Sequence, residues 1–431
     1  MRLAGRLSAA IDILDDILNR HRPAALALGD WGRAHRFAGS GDRSAIGTLV
    51  YDALRKRASL AWTMGGETPR ALALGTLRFV WKLTADEIAA LCDGSQHAPA
   101  PPGAAEMSAL GGAGREGEMP GWAAADVPEW LFPSLAATFG AAVTAEGGAL
   151  AERAPIDLRV NTLKADRRRV LKALEKYHPV PAPFSPAGVR IAAPGPQEKN
   201  PNVEAEAAHG RGWYEVQDEA SQIAVYLSGA GPRLQVLDLC AGSGGKTLGM
   251  AALMQNTGQI HAYDADKTRL RPIFERLKRA GARNVQVLPA GEVQALDALG
   301  GRMDVVFADA PCSGSGVWRR RPDAKWRLNA AALAERVEEQ RAVLALAAPL
   351  VRPGGRLIYA TCSVIAAENR EQTDHFLARH PDFEEIDYAG VWAGALGEPA
   401  PPAADTGFAV QLTPHRHGTD GFYVSILQRL A

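Results

Sequence analysis

Apolar residues change their spacing twice along this chain of 431 residues. Over 1–95 they recur at helical intervals: Ala9, Ile13, Leu14 and Ile17 form one stripe, and Leu49, Leu54 and Leu60 continue the pattern. That spacing marks amphipathic helices, so this stretch reads as an all-helical domain. From 96 to 124 the pattern lapses into Pro, Gly and Ala, beginning with Pro99-Ala100-Pro101-Pro102. Such a composition buries little apolar surface and predicts a mobile linker. Pro128-Glu129-Trp130-Leu131 opens a new ordered segment. Within 125–212 a strand is expected at 158–163 and a helix at 167–177, which makes a small α/β segment.

From about 213 short apolar runs alternate with longer helical stretches. Strands are predicted at 234–239, 259–263, 285–288, 304–308, 356–360 and 421–427, with helices at 267–280 and 330–351. Pro353-Gly354-Gly355 predicts a turn. Alternation of this kind implies an α/β fold with a mostly parallel sheet covered by helices on both faces.

Candidate chemistry sits at the ends of these strands. Leu237-Asp238-Leu239-Cys240-Ala241-Gly242-Ser243-Gly244-Gly245-Lys246-Thr247 carries a strand into a glycine-rich turn and then a helix. Glycine permits positive φ and a close backbone approach to a ligand. A P-loop needs glycine where Cys240 stands, and a dinucleotide fingerprint needs its third glycine where Thr247 stands. The third nucleotide-type reading is S-adenosylmethionine, whose amino-acid end requires a close backbone rather than a phosphate cradle. Asp264 ends the next strand, where an acid accepts ribose hydroxyls in nucleoside-binding sheets. Two of the four cysteines also follow strands: Cys312 in Asp309-Ala310-Pro311-Cys312 and Cys362 in Ala360-Thr361-Cys362-Ser363. Ligands of open α/β sheets lie outside the carboxyl ends of strands. Two thiols placed there point to covalent chemistry on one bound group; the bland alternative is a pair of buried core cysteines.

Together these motifs resemble the RNA 5-methylcytosine methyltransferases, in the bacterial branch that acts on small-subunit ribosomal RNA. The resemblance rests on Val216-Gln217-Asp218-Glu219-Ala220-Ser221, on 238–247, 309–316, 321–326 and 359–363, and on 415–423. It implies a class I S-adenosylmethionine-dependent, Rossmann-like methyltransferase domain over 213–431. Before it would come a small α/β RNA-binding subdomain over 125–212 and a NusB-like RNA-binding bundle over 1–95. It implies that Cys362 adds to carbon 6 of the target cytosine and that Cys312 assists elimination and release. Asp309 is implied to hold the cytosine edge, and Lys246 to contact the base or the methionine carboxylate. The implied cofactor set is Cys240, Ala241, Gly242, Ser243, Gly244, Gly245, Lys246, Asp264 and Asp309. The chain departs from the family at Ala290, where an acid usually contacts the adenosine; Glu292 and Asp297 are the nearest substitutes.

Charge adds one constraint. The formal net charge is zero, so any nucleic-acid surface has to come from local patches. Cations and aromatics mix directly after Cys312, as they do in single-strand RNA contacts. Arg319, Arg320, Arg321, Lys325 and Trp326 are therefore the expected RNA contacts. Arg55-Lys56-Arg57 reads as a solvated face or an RNA contact, and so do Arg167, Arg168 and Arg169. The cations of 267–279 read as a solvated face.

No apolar run approaches the roughly 18 residues of a membrane span. Asp12, Asp15 and Asp16 near the start suit a soluble helix rather than a signal peptide. The cysteines show no C-x-x-C spacing, which argues against zinc and against a disulfide framework. Two reactive thiols call for a reducing cytoplasm, and a metal-free monomer is expected. Three function classes stand: an RNA cytosine-5 methyltransferase, a methyltransferase fold acting on a small molecule or protein, and an RNA-binding assembly factor without catalysis. The paired thiols and the RNA-binding segments favour the first, and Ala290 keeps the third open.

Overall fold

The computed structural model describes residues 1–112, 117–195, 198–397, 400–401 and 407–431. They divide into two units. The first holds Met1–Arg153, Pro194–Asn200 and Trp318–Leu328, and the second holds Ala154–Ala193, Pro201–Val317 and Asn329–Ala431.

The first unit is helical. α1 (Leu3–Asn19), α2 (Ala24–Ala34) and α3 (Ser40–Arg55) form its start. α1 buries Leu7, Ala10, Ile13, Leu14 and Ile17, a stripe three to four residues apart that faces one core. α3 adds Ile46, Leu49, Val50, Ala53 and Leu54, and Leu72, Leu77, Ile88 and Cys92 complete that core. Cys92 is thus a packing residue. The stretch expected as a mobile linker joins the same core. A helix spans Ala104–Leu110, Leu110 is fully buried, and Arg70 pairs with Glu106 at 2.8 Å. Leu110 supplies the apolar contact that the Pro/Gly/Ala composition concealed; 113–116 lie outside the described residues. The boundaries expected at 95 and 124 therefore fall inside this unit, which also takes in the helices Phe132–Phe139 and Val143–Leu150.

The second unit contains two sheets. The smaller is antiparallel, with β1 (Ile156–Val160), β2 (Val180–Pro181), β3 (Gly188–Ile191) and β4 (Tyr214–Val216) in the order β2-β3-β1-β4. Leu158, Val160, Val170, Val189 and Tyr214 form its core. The strand expected to reach 163 stops at Val160, because Asn161 turns back and its side-chain oxygen accepts from the N–H of Leu163.

The larger sheet is built from β5 (Gln235–Asp238), β6 (Gln259–Ala262), β7 (Val285–Val287), β8 (Met303–Asp309), β9 (Val351–Thr361), β10 (Phe383–Ile386), β11 (Val410–Leu412) and β12 (Phe422–Arg429). The order is β10-β12-β9-β8-β5-β6-β7, with β11 also on β12. The five strands β5 to β9 run parallel to one another, and β12 runs antiparallel to β9. Strand order reverses at β5, which has β6 on one side and β8 on the other. Ligands of such sheets bind at that switch point, outside the carboxyl ends.

All six predicted strands form, while the short β10 and β11 gave no readable signal. The helix predicted over 267–280 is broken into Lys267–Leu270 and Ile273–Ala280. Pro272 lies between them and has no N–H to continue the first.

Candidate active site at the carboxyl ends of β5, β8 and β9

β8 and β9 pair in parallel with Asp309 opposite Ala360. Cys312 lies three residues beyond one and Cys362 two beyond the other, so parallel pairing carries both to the same edge. Their Sγ atoms stand 3.4 Å apart, and both residues are half-buried. The hydrogen bond with Cys362, followed by burial, pushes the Cys312 thiol well above its ordinary value.

At the same edge of the sheet, Lys246 Nζ donates to Asp309 Oδ2 at 2.5 Å. Lys246 opens the helix Gly245–Leu253 after β5, and Asp309 ends β8, so adjacent strands again make the pair. The ammonium also lies 5.1 Å from the centre of the Phe422 ring. An ammonium and a carboxylate thus pair at the carboxyl ends of the strands, the edge that also carries the thiols, and suit a polar heterocycle. Asp238 lies fully buried below the turn. Its Oδ2 accepts from Thr247 Oγ1 at 2.6 Å, its Oδ1 has no partner, and burial pushes its carboxyl up to about 7.

The glycine turn takes the predicted backbone. Gly242 and Gly244 both have positive φ, at 50° and 86°. A Cβ on Gly244 would also stand 2.6 Å from Ile273. Asp264 is nearly buried, and its Oδ2 accepts from the N–H of Gly242 at 2.8 Å, while Oδ1 accepts from the N–H of Asp266 at 2.8 Å. Each oxygen retains a lone pair. Cys240 is half-buried, and the burial it has pushes its thiol up. Ala290 packs with Ala241, Ala262, Leu270 and Ile273, so the place of the expected acid is an apolar wall; Glu292 and Asp297 are both exposed.

Two supporting residues escaped the sequence reading. Arg276 donates to Ser243 O at 3.0 Å and Ser243 Oγ at 2.7 Å, and pairs with Glu215 at 2.9 Å. It was expected on a solvated face and instead braces the glycine turn. Arg159, in β1, donates to Gly245 O at 2.7 Å and to Gln217 Oε1. A cation between Leu158 and Val160 was the only hint of its burial.

The basic–aromatic stretch after Cys312 needs correction. Trp318–Leu328 belongs to the first unit. Lys325 is fully buried, and its ammonium donates to Arg55 O at 3.1 Å and Asp126 O at 2.5 Å. Trp326 Nε1 donates to Leu54 O at 2.6 Å, and Arg319 O accepts from Arg55 Nε at 2.9 Å. Lys325 and Trp326 thus satisfy carbonyls that the C-terminal end of α3 leaves open, and neither polar group is presented to RNA. Arg319 is likewise buried, Arg320 is half-buried, and Arg321 is exposed. The Arg55-Lys56-Arg57 triplet is consumed too: Arg55 pairs with Asp52, Lys56 with Glu152 and Arg57 with Glu67.

This burial has a measurable consequence. Desolvation pulls Lys325 from 10.5 down to about 7, although Asp126 opposes it. Between those two values the unfolded chain binds the extra proton, so stability rises with pH across the window. Replacing the lysine removes that term. Thermal melts at pH 7 and pH 9 should show a gain for the native chain that Lys325→Met lacks, worth on the order of 1–3 kcal/mol. Equal gains in both proteins would show that Lys325 stays charged in the fold.

Residues 230–428 match the family described as "16S rRNA methyltransferase RsmB/F". Residues 127–198 match "Methyltr_RsmF/B-like, ferredoxin-like domain". The probable ribosomal RNA small subunit methyltransferase B of Synechocystis sp. is 31% identical over 306 residues, which is 70% of this chain and 66% of that protein. The ribosomal RNA small subunit methyltransferase B of Photorhabdus laumondii is 32% identical over 305 residues, with coverage of 70% and 66%. The matched region thus spans about two thirds of the length of these relatives. Among solved structures, PH0851 is similar over 100% of this chain and 99% of its own, with a TM-score of 0.74 and 26% identity. NSun6 from Pyrococcus horikoshii shares the fold over 70% of this chain and 98% of its own, with a TM-score of 0.62 at 21% identity. The larger sheet with its paired thiols and glycine turn, and the family matches that cover it and the segment before it, agree: the chain belongs to the 16S rRNA methyltransferase RsmB/F family.

Proposed function

We propose that this protein is an S-adenosylmethionine-dependent RNA methyltransferase that modifies carbon 5 of a cytosine in 16S ribosomal RNA, as a cytoplasmic monomer. The observation that carries the reading is the pair of thiols 3.4 Å apart at the ends of adjacent parallel strands. One thiol suffices for a nucleophile; a second in contact with it suits a reaction that must also undo its own covalent bond. The family match and the names of the relatives support methyl transfer to small-subunit ribosomal RNA.

The residues present fit the cofactor. Cys240, Ala241, Gly242, Ser243, Gly244 and Gly245 offer an open glycine-rich backbone. Asp264 retains acceptor capacity for a ribose diol, Lys246 and Asp309 stand beside the turn, and Ala241, Ala262 and Ala290 give an apolar wall. S-adenosylmethionine, when bound, supplies the electrophilic methyl group.

The chain's own residues do the rest. Carbon 5 of cytosine is a weak nucleophile. Cys362, as thiolate, adds to carbon 6, which places the electron pair at carbon 5; Asp309 holds the base at its ring-nitrogen edge, where a proton from solvent balances the charge and leaves again once carbon 5 is methylated. Lys246, paired to Asp309, fixes that carboxylate. Once carbon 5 carries the methyl group its proton must leave. That proton passes to a solvent base, its electron pair re-forms the carbon 5–carbon 6 double bond, the Cys362–carbon 6 bond breaks to return the thiolate, and Cys312, in contact with that sulfur, assists the release. Covalent catalysis of this kind divides one hard step into two easier ones. The base must leave its stack to reach the thiols. In this reading the helical unit and the exposed Arg321 contribute RNA contacts.

The test is bisulfite mapping of 16S ribosomal RNA incubated with the purified protein and S-adenosylmethionine. Appearance of a protected cytosine supports the reading, and methyl incorporation with no protected cytosine sinks the carbon-5 assignment. The cofactor pocket has its own test. Asp264→Ala removes an acceptor worth about 1.5–3 kcal/mol per charged hydrogen bond. Titration calorimetry should show S-adenosylmethionine binding weakened roughly ten- to a hundredfold. Ala290 sharpens this expectation, since no acid stands at that position to share the load. Unchanged affinity would remove Asp264 from the pocket.

A further inference from the structure

We propose that Glu368 is a positioning residue for the two thiols, its carboxylate tying the loop that carries Cys312 to the loop that carries Cys362. The inference rests on the covalent reading above and names what sets the geometry of the pair.

Glu368 is fully buried and ends the short turn Ala366–Glu368. Its Oε1 accepts from the backbone N–H of Ser313 at 2.7 Å and from Gln340 Nε2 at 3.1 Å. Its Oε2 accepts from Ser313 Oγ at 2.5 Å and from Ser363 Oγ at 2.5 Å. Ser313 follows Cys312 in the chain, and Ser363 follows Cys362. One carboxylate therefore grips the residue next to each thiol. All four partners are donors, and a carboxylate is acceptor-only, so the charge type matches the site.

The clamp extends on both sides. Gln340 Nε2 also donates to Pro311 O at 2.9 Å, which braces the residue before Cys312. Ser315 Oγ and Ser363 Oγ lie 2.9 Å apart, and the N–H of Gly316 donates to Cys362 O at 3.0 Å. Tyr359 OH fixes Glu368 itself, donating to its carbonyl at 2.6 Å. Neither thiol makes these contacts; the loops do. The charge of Glu368 also adds to the rise of Cys312, behind the Cys362 hydrogen bond and burial.

The experiment uses the full-length protein with S-adenosylmethionine and a small-subunit ribosomal RNA transcript. Glu368→Gln keeps the size but replaces one acceptor oxygen by a donor amide. We expect kcat to fall about ten- to a hundredfold, since small misplacements of reacting groups cost that much, while KM for S-adenosylmethionine stays nearly unchanged. Iodoacetamide labelling of Cys312, followed by peptide mass, should reach half-maximal rate at a lower pH in the variant, because a nearby negative charge is gone. A merely structural role would lower the melting temperature and move neither quantity. Ser313→Ala and Ser363→Ala each cut one leg of the clamp and should lower kcat in the same direction by less. They carry the test if Glu368→Gln does not fold. Unchanged kcat and unchanged labelling overturn the inference. If that result accompanies an inactive Cys362→Ala, only the role of Glu368 fails; if Cys362→Ala itself turns over, the covalent reading fails first.

Discussion

Cys362→Ala is expected to abolish methyl transfer, by on the order of 10³-fold or more, as removal of a covalent nucleophile does. S-adenosylmethionine affinity should stay nearly intact. The thiol lies beyond β9, whereas the glycine turn and Asp264 lie beyond β5 and β6. The fold should also tolerate the change, because Cys362 is half-buried and its neighbours are held by their own hydrogen bonds. The measurement pairs tritiated methyl transfer to 16S ribosomal RNA with cofactor calorimetry on the same preparation. Substantial turnover by this variant would end the covalent mechanism.

The second large effect is qualitative. Cys312→Ala leaves Cys362, Lys246 and Asp309 in place, so attack and methyl transfer should still occur. Elimination loses its assisting thiol, and the protein should remain bonded to the methylated base. A band at the summed mass of protein and RNA should accumulate on a denaturing gel, and turnover should stall near one cycle. The Cys312→Ala, Cys362→Ala double variant is the control and should give no band. An adduct from Cys362→Ala, with none from Cys312→Ala, would exchange the roles of the two thiols.

Much of the site was readable because its signals are local. An apolar run followed by Gly242, Ser243, Gly244 and Gly245 states a backbone demand within a few residues, and positive φ at Gly242 and Gly244 is the outcome. The strands ending near Asp309 and Thr361 were read from apolar runs of similar kind. The misreadings also have local causes. Lys325 and Trp326 have the composition of an RNA contact, and nothing in that window separates a cation in solvent from one hydrogen-bonded to Arg55 O and Asp126 O. Arg276 looked like one cation among six, and only Glu215 and Ser243, 61 and 33 residues away, give it a task. Leu110 was one apolar residue in a stretch of Pro, Gly and Ala, yet it completes a core.

The alternation of strands and helices, the glycine turn after β5, and a thiol after each of two strands are all written in the order of residues alone. Each follows from residue spacing or from the backbone freedom of glycine, and both act within a few positions. That the thiols meet depends on long-range packing. Parallel pairing of β8 with β9, in the register that sets Asp309 against Ala360, brings together side chains 50 residues apart in sequence. The same packing decided that Glu368 bridges Ser313 and Ser363 and that Lys325 is spent inside the helical unit. Such contacts depend on which surfaces bury together, a free-energy balance struck over the whole unit and absent from any single window of the chain.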